Sequence, residues 1–286
     1  MNSKNVKFVK KAPKTNNLIG LAGIGIVGLF FLKMKNKIAK SFGFSLLGVS
    51  AIGALSSFKN VIKSSVSRNK VVLLGGADFS NEGQYGINKE IARIVATAVQ
   101  RKGIVLNYGD ITVFNTPLTV HDFNSDIVKP LIVAITNNFD IKTGKVILYG
   151  YSLGGNVLMN CLEELRKNKI NVELLITVDA AKGLPGLLAV KTTVTDNVKL
   201  NLNLYQTHFS DIGSRGFPNK GKNVININLS DKVNAQNQQI NHGNIDEYTM
   251  LFISQLIVYY LEGKSTLNSM TKSEIIKKIE LYDKQR

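Results

Sequence analysis

The sequence predicts an α/β fold: a mostly parallel sheet of about six strands flanked by helices, preceded by an apolar, basic N-terminal helical segment. Three observations carry this. From residue 71 onward, short β-rich apolar runs alternate with stretches of helical periodicity. The first four runs are almost wholly apolar, as strands covered on both faces are. The charge is also split. Residues 1–70 hold 13 Lys and Arg and no acid, the first acid being Asp78, whereas residues 71–286 hold 23 bases against 20 acids. Of the net charge of +16, +13 therefore sits in the head, and two kinds of sequence meet near residue 70. The chain of 286 residues is 44% hydrophobic and 20% charged, which excludes a fully disordered protein. A protein basic over its whole surface, of the kind that coats DNA, is excluded by the charge split. The single cysteine, Cys161, excludes an intrachain disulfide framework, and three scattered histidines offer no Cys/His metal cluster.

In the head stand two uncharged apolar stretches. Leu18–Leu32 is bounded by Lys14 and Lys33, and Phe42–Phe58 by Lys40 and Lys59. A membrane-spanning helix needs about 20 apolar residues, with about 17 the lower end. Read as 17–34 and 41–58, both stretches reach it and form a possible helical hairpin. Glycines at 20, 23, 25 and 28 would weaken a helix in water but permit close helix contact in a membrane. Segment 1–70 is thus expected to associate with a membrane or anchor the chain. Anionic lipid is the expected partner, at about 1 kcal/mol per surface-proximal base. A cleaved signal peptide fits less well, because Lys33 stands where a small-residue cleavage site belongs. A soluble helical arm that packs on another protein is the third reading. Bases flank every edge, so the side of the membrane is not specified. Nucleic acid ranks below lipid as a partner, because no aromatic stacking pattern accompanies the bases.

The strands read from the body are Val71–Leu74, Ile104–Asn107, Lys145–Tyr149, Val172–Val178, Val198–Tyr205 and Val224–Leu229. The helices are Asn88–Arg101, Ser125–Asn138, Asn156–Asn168 and Asn244–Leu261. The last two strands alternate. Val198, Leu200, Leu202 and Leu204 oppose Lys199, Asn201 and Asn203, and Ile225, Ile227 and Leu229 oppose Asn226 and Asn228. Half-exposed strands near one edge are expected there. From Lys272, Ile275, Ile276, Ile279 and Leu281 recur at helical spacing, the pattern of a surface-packed amphipathic helix.

One motif carries chemistry. Gly150-Tyr151-Ser152-Leu153-Gly154 matches G-x-S-x-G, after an apolar strand and before an amphipathic helix. Such a turn strains the serine's backbone, so its close neighbours must be glycine. It holds the hydroxyl out at the sheet's carboxyl edge, above the positive end of the next helix. The sequence GYSLGG resembles the nucleophile elbow of the lipases and esterases in the α/β-hydrolase superfamily. The resemblance spans roughly residues 70–262, strong at the elbow and a matter of pattern elsewhere. It implies a chain order of serine, acid, histidine. His242, in the loop after the last strand and before the last helix, stands where the superfamily carries its base. His208 is the runner-up, and His121 lies upstream of the serine. For the acid, Asp179 ends the strand LLITVD and is the first candidate, and Asp211, after the next strand, is the alternative. An idle cap on the following helix is the plain reading of Asp179. The oxyanion hole needs two backbone N–H groups. Leu153 would supply one, and Gly76 or Ala77 in LLGGADF the other. The same glycines do not bind a dinucleotide, since G-x-G-x-x-G is absent, and no cofactor or metal is called for. The sequence departs from the full fold in two respects, the first being that the head replaces the first antiparallel strands. No long lid follows either, so 180–197 and 206–222 are the loops that could shape a pocket, with Leu184, Leu187, Leu188, Phe209 and Phe217 as candidate lining.

The resulting expectation is a membrane-associated serine hydrolase of lipid or other carboxylic esters, working through an acyl-enzyme. A thioesterase or amidase would use the same residues. A non-catalytic anchoring protein, for example a virion or secretion-assembly component reusing a hydrolase fold, is the alternative from another class.

Overall fold

The computed structural model describes residues 67–77, 83–104, 106–107, 109–116, 122–180, 190–208, 216–264 and 267–286. The two apolar stretches of the head, at 17–34 and 41–58, lie outside the described residues. Among the described residues, no helix is long and apolar enough to cross a membrane.

Six strands form one sheet in the order β2-β1-β3-β4-β5-β6, and every neighbouring pair is parallel. They are β1 (Asn69–Ala77), β2 (Ile111–Thr116), β3 (Lys145–Tyr151), β4 (Val172–Val178), β5 (Asn201–Tyr205) and β6 (Val224–Asn228). The helices are α1 (Gly83–Arg101), α2 (Lys129–Thr136), α3 (Leu153–Lys167), α4 (Ile245–Leu261) and α5 (Lys272–Asp283). Successive strand residues face opposite sides of a sheet, so each strand feeds two cores. Val71, Leu73, Ile147, Tyr149, Leu174 and Ile176 face α1, α4 and α5. Val72, Leu74, Val146, Leu148 and Leu175 face α2 and α3. Each fully buried aliphatic side chain contributes roughly 1.5–3 kcal/mol. α5 opens with a capping box: Thr271 Oγ1 accepts from the Glu274 N–H, and the Glu274 carboxylate accepts from the Thr271 N–H.

Three expectations change. The second strand is Ile111–Thr116, not Ile104–Asn107. Helix α1 ends at a left-handed Gly103, and Ile104 and Leu106 pack on the core as coil. Their apolar character marks burial, not strand pairing. The ladder starts only after Asp110, a buried residue that pairs with Lys70 and whose carbonyl accepts from the Val71 N–H. The helix expected over Ser125–Asn138 is in two parts, a wide π-turn at Asn124–Val128 and then α2. Pro130, which has no N–H to give the preceding turn, sits at the junction.

The third change concerns β5. It lies next to the edge strand as expected, but Asn201 and Asn203 are fully buried, not half-exposed. On that side residues 216–220 lie against β5. Asn219 Nδ2 donates to Asn201 Oδ1 at 2.9 Å and to Thr177 Oγ1 at 3.1 Å. Asn203 Nδ2 donates to Asn226 Oδ1 and to the Phe217 carbonyl, each at 2.8 Å. Thr177 Oγ1 donates to Asn203 Oδ1 at 2.9 Å. The alternation in β5 is therefore an apolar core on one face and a hydrogen-bonded amide ladder on the other. β6, at the edge, is half-buried as its pattern predicts.

Candidate active site

The turn between β3 and α3 sets the site. β3 runs into the core, and α3 begins at Leu153, so Ser152 is its N-cap. The serine backbone is held at φ 52°, the left-handed region that costs a non-glycine residue roughly 1–3 kcal/mol. A turn this tight brings α3 against the end of β1. A Cβ on Gly154 would lie 2.3 Å from the Gly75 carbonyl oxygen, so only glycine fits there. The serine N–H donates to the Val178 carbonyl at 2.9 Å, tying the elbow to β4.

From Ser152 a hydrogen-bonded chain runs inward. Ser152 Oγ lies 2.8 Å from His242 Nε2. His242 Nδ1 lies 2.7 Å from Asp179 Oδ2. With Nδ1–H donating to the carboxylate, Nε2 is left to accept the serine proton. The three side chains come from the end of β3, the end of β4 and the loop before α4. Ser152 keeps 8% of its surface, His242 5% and Asp179 none. The imidazole stacks on Tyr151, with ring centroids 5.4 Å apart, and the Tyr151 hydroxyl donates to the His242 carbonyl oxygen. The residue before the serine thus fixes the loop that carries the histidine.

Asp179 also has a left-handed backbone, φ 43°. Burying a carboxylate without partners is costly. Here Oδ1 accepts from the Gln206 backbone N–H at 3.0 Å, and Oδ2 accepts from Gln206 Nε2 at 2.8 Å as well as from His242. A Cβ on Gly216 would lie 2.3 Å from Asp179 Oδ1, so Gly216 closes directly over the carboxylate. Gln206 carries no sequence signature, and nothing local marks it. Only the pairing of β4 with β5 brings its position to Asp179.

A second buried acid, Asp246, stands in the first turn of α4. Burial pushes its carboxyl up to about 7, against the opposing effects of its own backbone N–H and of His242 and Arg286. Burial also raises the phenols of Tyr149 and Tyr151 well above their ordinary range, and Asp246 adds to both. The Cys161 thiol is pushed up to about 12 by burial, so it offers no thiolate to compete with Ser152.

The other sequence candidates stand as follows. Gly76 is buried near the end of β1 and Ala77 ends that strand, which pairs directly with β3. Leu153 follows the serine at the start of α3. His208 is not joined to Ser152; its Nε2 lies 2.7 Å from the Ser230 carbonyl oxygen and 3.0 Å from Gln239 Nε2. His121, Asp211, Leu184, Leu187, Leu188 and Phe209 lie outside the described residues. Phe217 is half-buried and gives its carbonyl to the amide ladder. Among the described residues there is no cluster of three or more His, Cys, Asp or Glu able to hold a metal ion.

A parallel six-stranded sheet between helical layers, with a serine on a strained strand–turn–helix elbow, is an α/β-hydrolase-like fold. No family model matches the chain, and no curated protein does. Among chains of known structure, a Lactobacillus plantarum protein provisionally assigned as a cell surface hydrolase matches at 12% identity and a TM-score of 0.36. The match covers 76% of this chain and 98% of that one.

Proposed function

We propose that this protein is a membrane-associated serine hydrolase of lipid or other carboxylic esters. The observation that carries the reading is the chain Ser152–His242–Asp179, with contacts of 2.8 and 2.7 Å. Ser152 Oγ attacks the ester carbonyl carbon while His242 Nε2 takes its proton. The N–H groups of Leu153 and of Gly76 or Ala77 receive the developing oxyanion. On collapse, the alkoxide leaves with the proton from His242, and Ser152 holds the acyl group. Water then gives its proton to His242 and its oxygen to the acyl carbon, and Ser152 is restored. Asp179 keeps the imidazole in the required tautomer and offsets its positive charge.

We read an apolar cleft of about 50 Å³ near the ends of β1 and β2 as a place for part of an acyl group. It is lined by Leu74, Phe114, Ile127, Pro130 and Leu131, with Thr116 and Asp126 as its polar members. Leu153 packs in the same apolar cluster as Leu74 and Leu131. The basic, apolar head would hold the enzyme at an anionic membrane surface, where such substrates are concentrated.

The test is labelling of the full-length protein with a fluorophosphonate probe, followed by mapping of the adduct. Labelling on Ser152 that disappears in His242→Ala is the expected result. A folded protein that takes no label overturns the reading in favour of an anchoring protein on a hydrolase fold. Comparison of oxygen esters, thioesters and amides then separates the three acyl-transfer activities.

A further inference from the structure

We infer that Gln206 is a positioning residue of this site, its amide and backbone N–H together holding the Asp179 carboxylate toward His242. The inference rests on the serine-hydrolase reading above. Gln206 follows β5 directly and is fully buried. Its Oε1 accepts from the His208 backbone N–H at 2.7 Å. That bond decides which way the amide points. With the oxygen committed to an N–H, the NH₂ end is the one facing Asp179 Oδ2, at 2.8 Å. The backbone N–H takes the other carboxylate oxygen, so Gln206 grips both.

The grip is itself anchored. The Gln206 carbonyl accepts from the Gly216 N–H at 3.1 Å. The Thr207 N–H donates to Ser230 Oγ at 2.9 Å, and His208 Nε2 lies against the Ser230 carbonyl. His208, which the sequence offers as a second possible base, therefore serves through its backbone N–H, by orienting Gln206. A carboxylate held by one donor can turn about its own bond. Held by Gln206 at both oxygens, it keeps Oδ2 on the imidazole.

Leucine at 206 keeps the bulk of the side chain and removes the amide donor. Glutamic acid does something more informative. Protonated, it accepts from His208 with one oxygen and donates to Asp179 with the other, as the amide does. Ionised, it has no proton to donate and sets a second negative charge beside Asp179. A residue that only fills space would be replaced by leucine without loss, and by protonated glutamic acid no better than by leucine.

The experiment is the rate at which a fluorophosphonate probe labels Ser152 in the full-length protein, from about pH 5 to about pH 9, for the wild type, Gln206→Leu and Gln206→Glu. Gln206→Leu should be slower by about 10- to 100-fold at every pH, the range found when outer partners of a metal-bound histidine are removed. Gln206→Glu should stay within about threefold of the wild type on the acid side, then fall about 10- to 100-fold further behind as the pH rises. A Gln206→Leu rate equal to the wild type at all pH overturns the inference, as does a Gln206→Glu profile parallel to the wild type. If Gln206→Leu does not fold, the Gln206→Glu profile decides alone. A wild-type protein that takes no label instead refutes the hydrolase reading itself, and the inference falls with it.

Discussion

Two buried carboxylates stand near His242, and their surroundings differ. Asp179, at the end of β4, has no exposed surface and receives N–H bonds from Gln206, twice, and from the imidazole. Asp246, in the first turn of α4, is almost as buried, and its Oδ1 accepts from the N–H of Glu247. Near it stand Tyr149 and Tyr151 from β3, His242 from the preceding loop and Arg286 at the chain end, with Arg286 paired to Glu247. Burial therefore keeps Asp246 protonated up to about pH 7. Burial alone does not fit a carboxylate to work with a histidine; the N–H groups aimed at it do.

The largest effect should separate the two acids outright. Asp179→Asn should slow labelling of Ser152 by about 10³- to 10⁴-fold, the cost of an imidazole held in the wrong tautomer. Asp246→Asn should stay within about threefold near neutral pH, where much of Asp246 is already uncharged. Equal losses in both variants would dissolve the distinction.

The second effect is on stability. An acid raised from 3.8 in the unfolded chain to about 7 in the fold contributes fully below pH 4. Between those values the unfolded state binds fewer protons, so stability falls as pH rises. The loss is complete above pH 7 and on the order of 4 kcal/mol, at about 1.4 kcal/mol per pH unit. Denaturant unfolding of Asp246→Asn at about pH 4 and about pH 8 should show that component removed. An unchanged pH dependence would mean that Asp246 is ionised in the fold.

The third sharpens the account of Asp179. In Gly216→Ala the new methyl must displace the carboxylate or the loop, at about 1–3 kcal/mol of stability, and labelling should slow by roughly tenfold or more. Normal labelling in a destabilised variant would show that the acid tolerates the shift. The smallest effect lies on the Asp246 side. Tyr149 Oη is buried and has no hydrogen-bond partner among the described residues. Tyr149→Phe should raise stability by about 1 kcal/mol with no change in labelling, as measured by thermal unfolding. Destabilisation would show that the hydroxyl has a partner in solution.

What was legible in the sequence was local. The elbow is five consecutive residues between an apolar strand and a helix, and that pattern needs no partner to be read. His242 and Asp179 are proposed from the sequence by their place after a strand, which is a statement about chain order. What needed distant partners was not legible. Ile104–Asn107 looks like a strand because it is apolar, and only the pairing of Val71 with Ile111 shows where β2 lies. The asparagines of β5 look solvated because their partners, at 175, 177, 217, 219 and 226, are remote in sequence. Gln206 is invisible for the same reason, as its meaning comes entirely from a residue 27 positions away.

The wholly parallel sheet also bears on how the chain reaches this structure. No two neighbouring strands can meet through a hairpin, because each parallel pair waits on a crossover. β1 joins β3 only after residues 78–144 have come into place, and β3, which Ser152 follows, takes β4 as its other neighbour. Contacts so far apart in sequence close slowly. The edge that bears Ser152 and Asp179 pairs β3 with β4 across α3 alone, so it closes over a shorter stretch of chain than β1 and β3 do, and a chain interrupted before β1 docks would expose the apolar edge of β3.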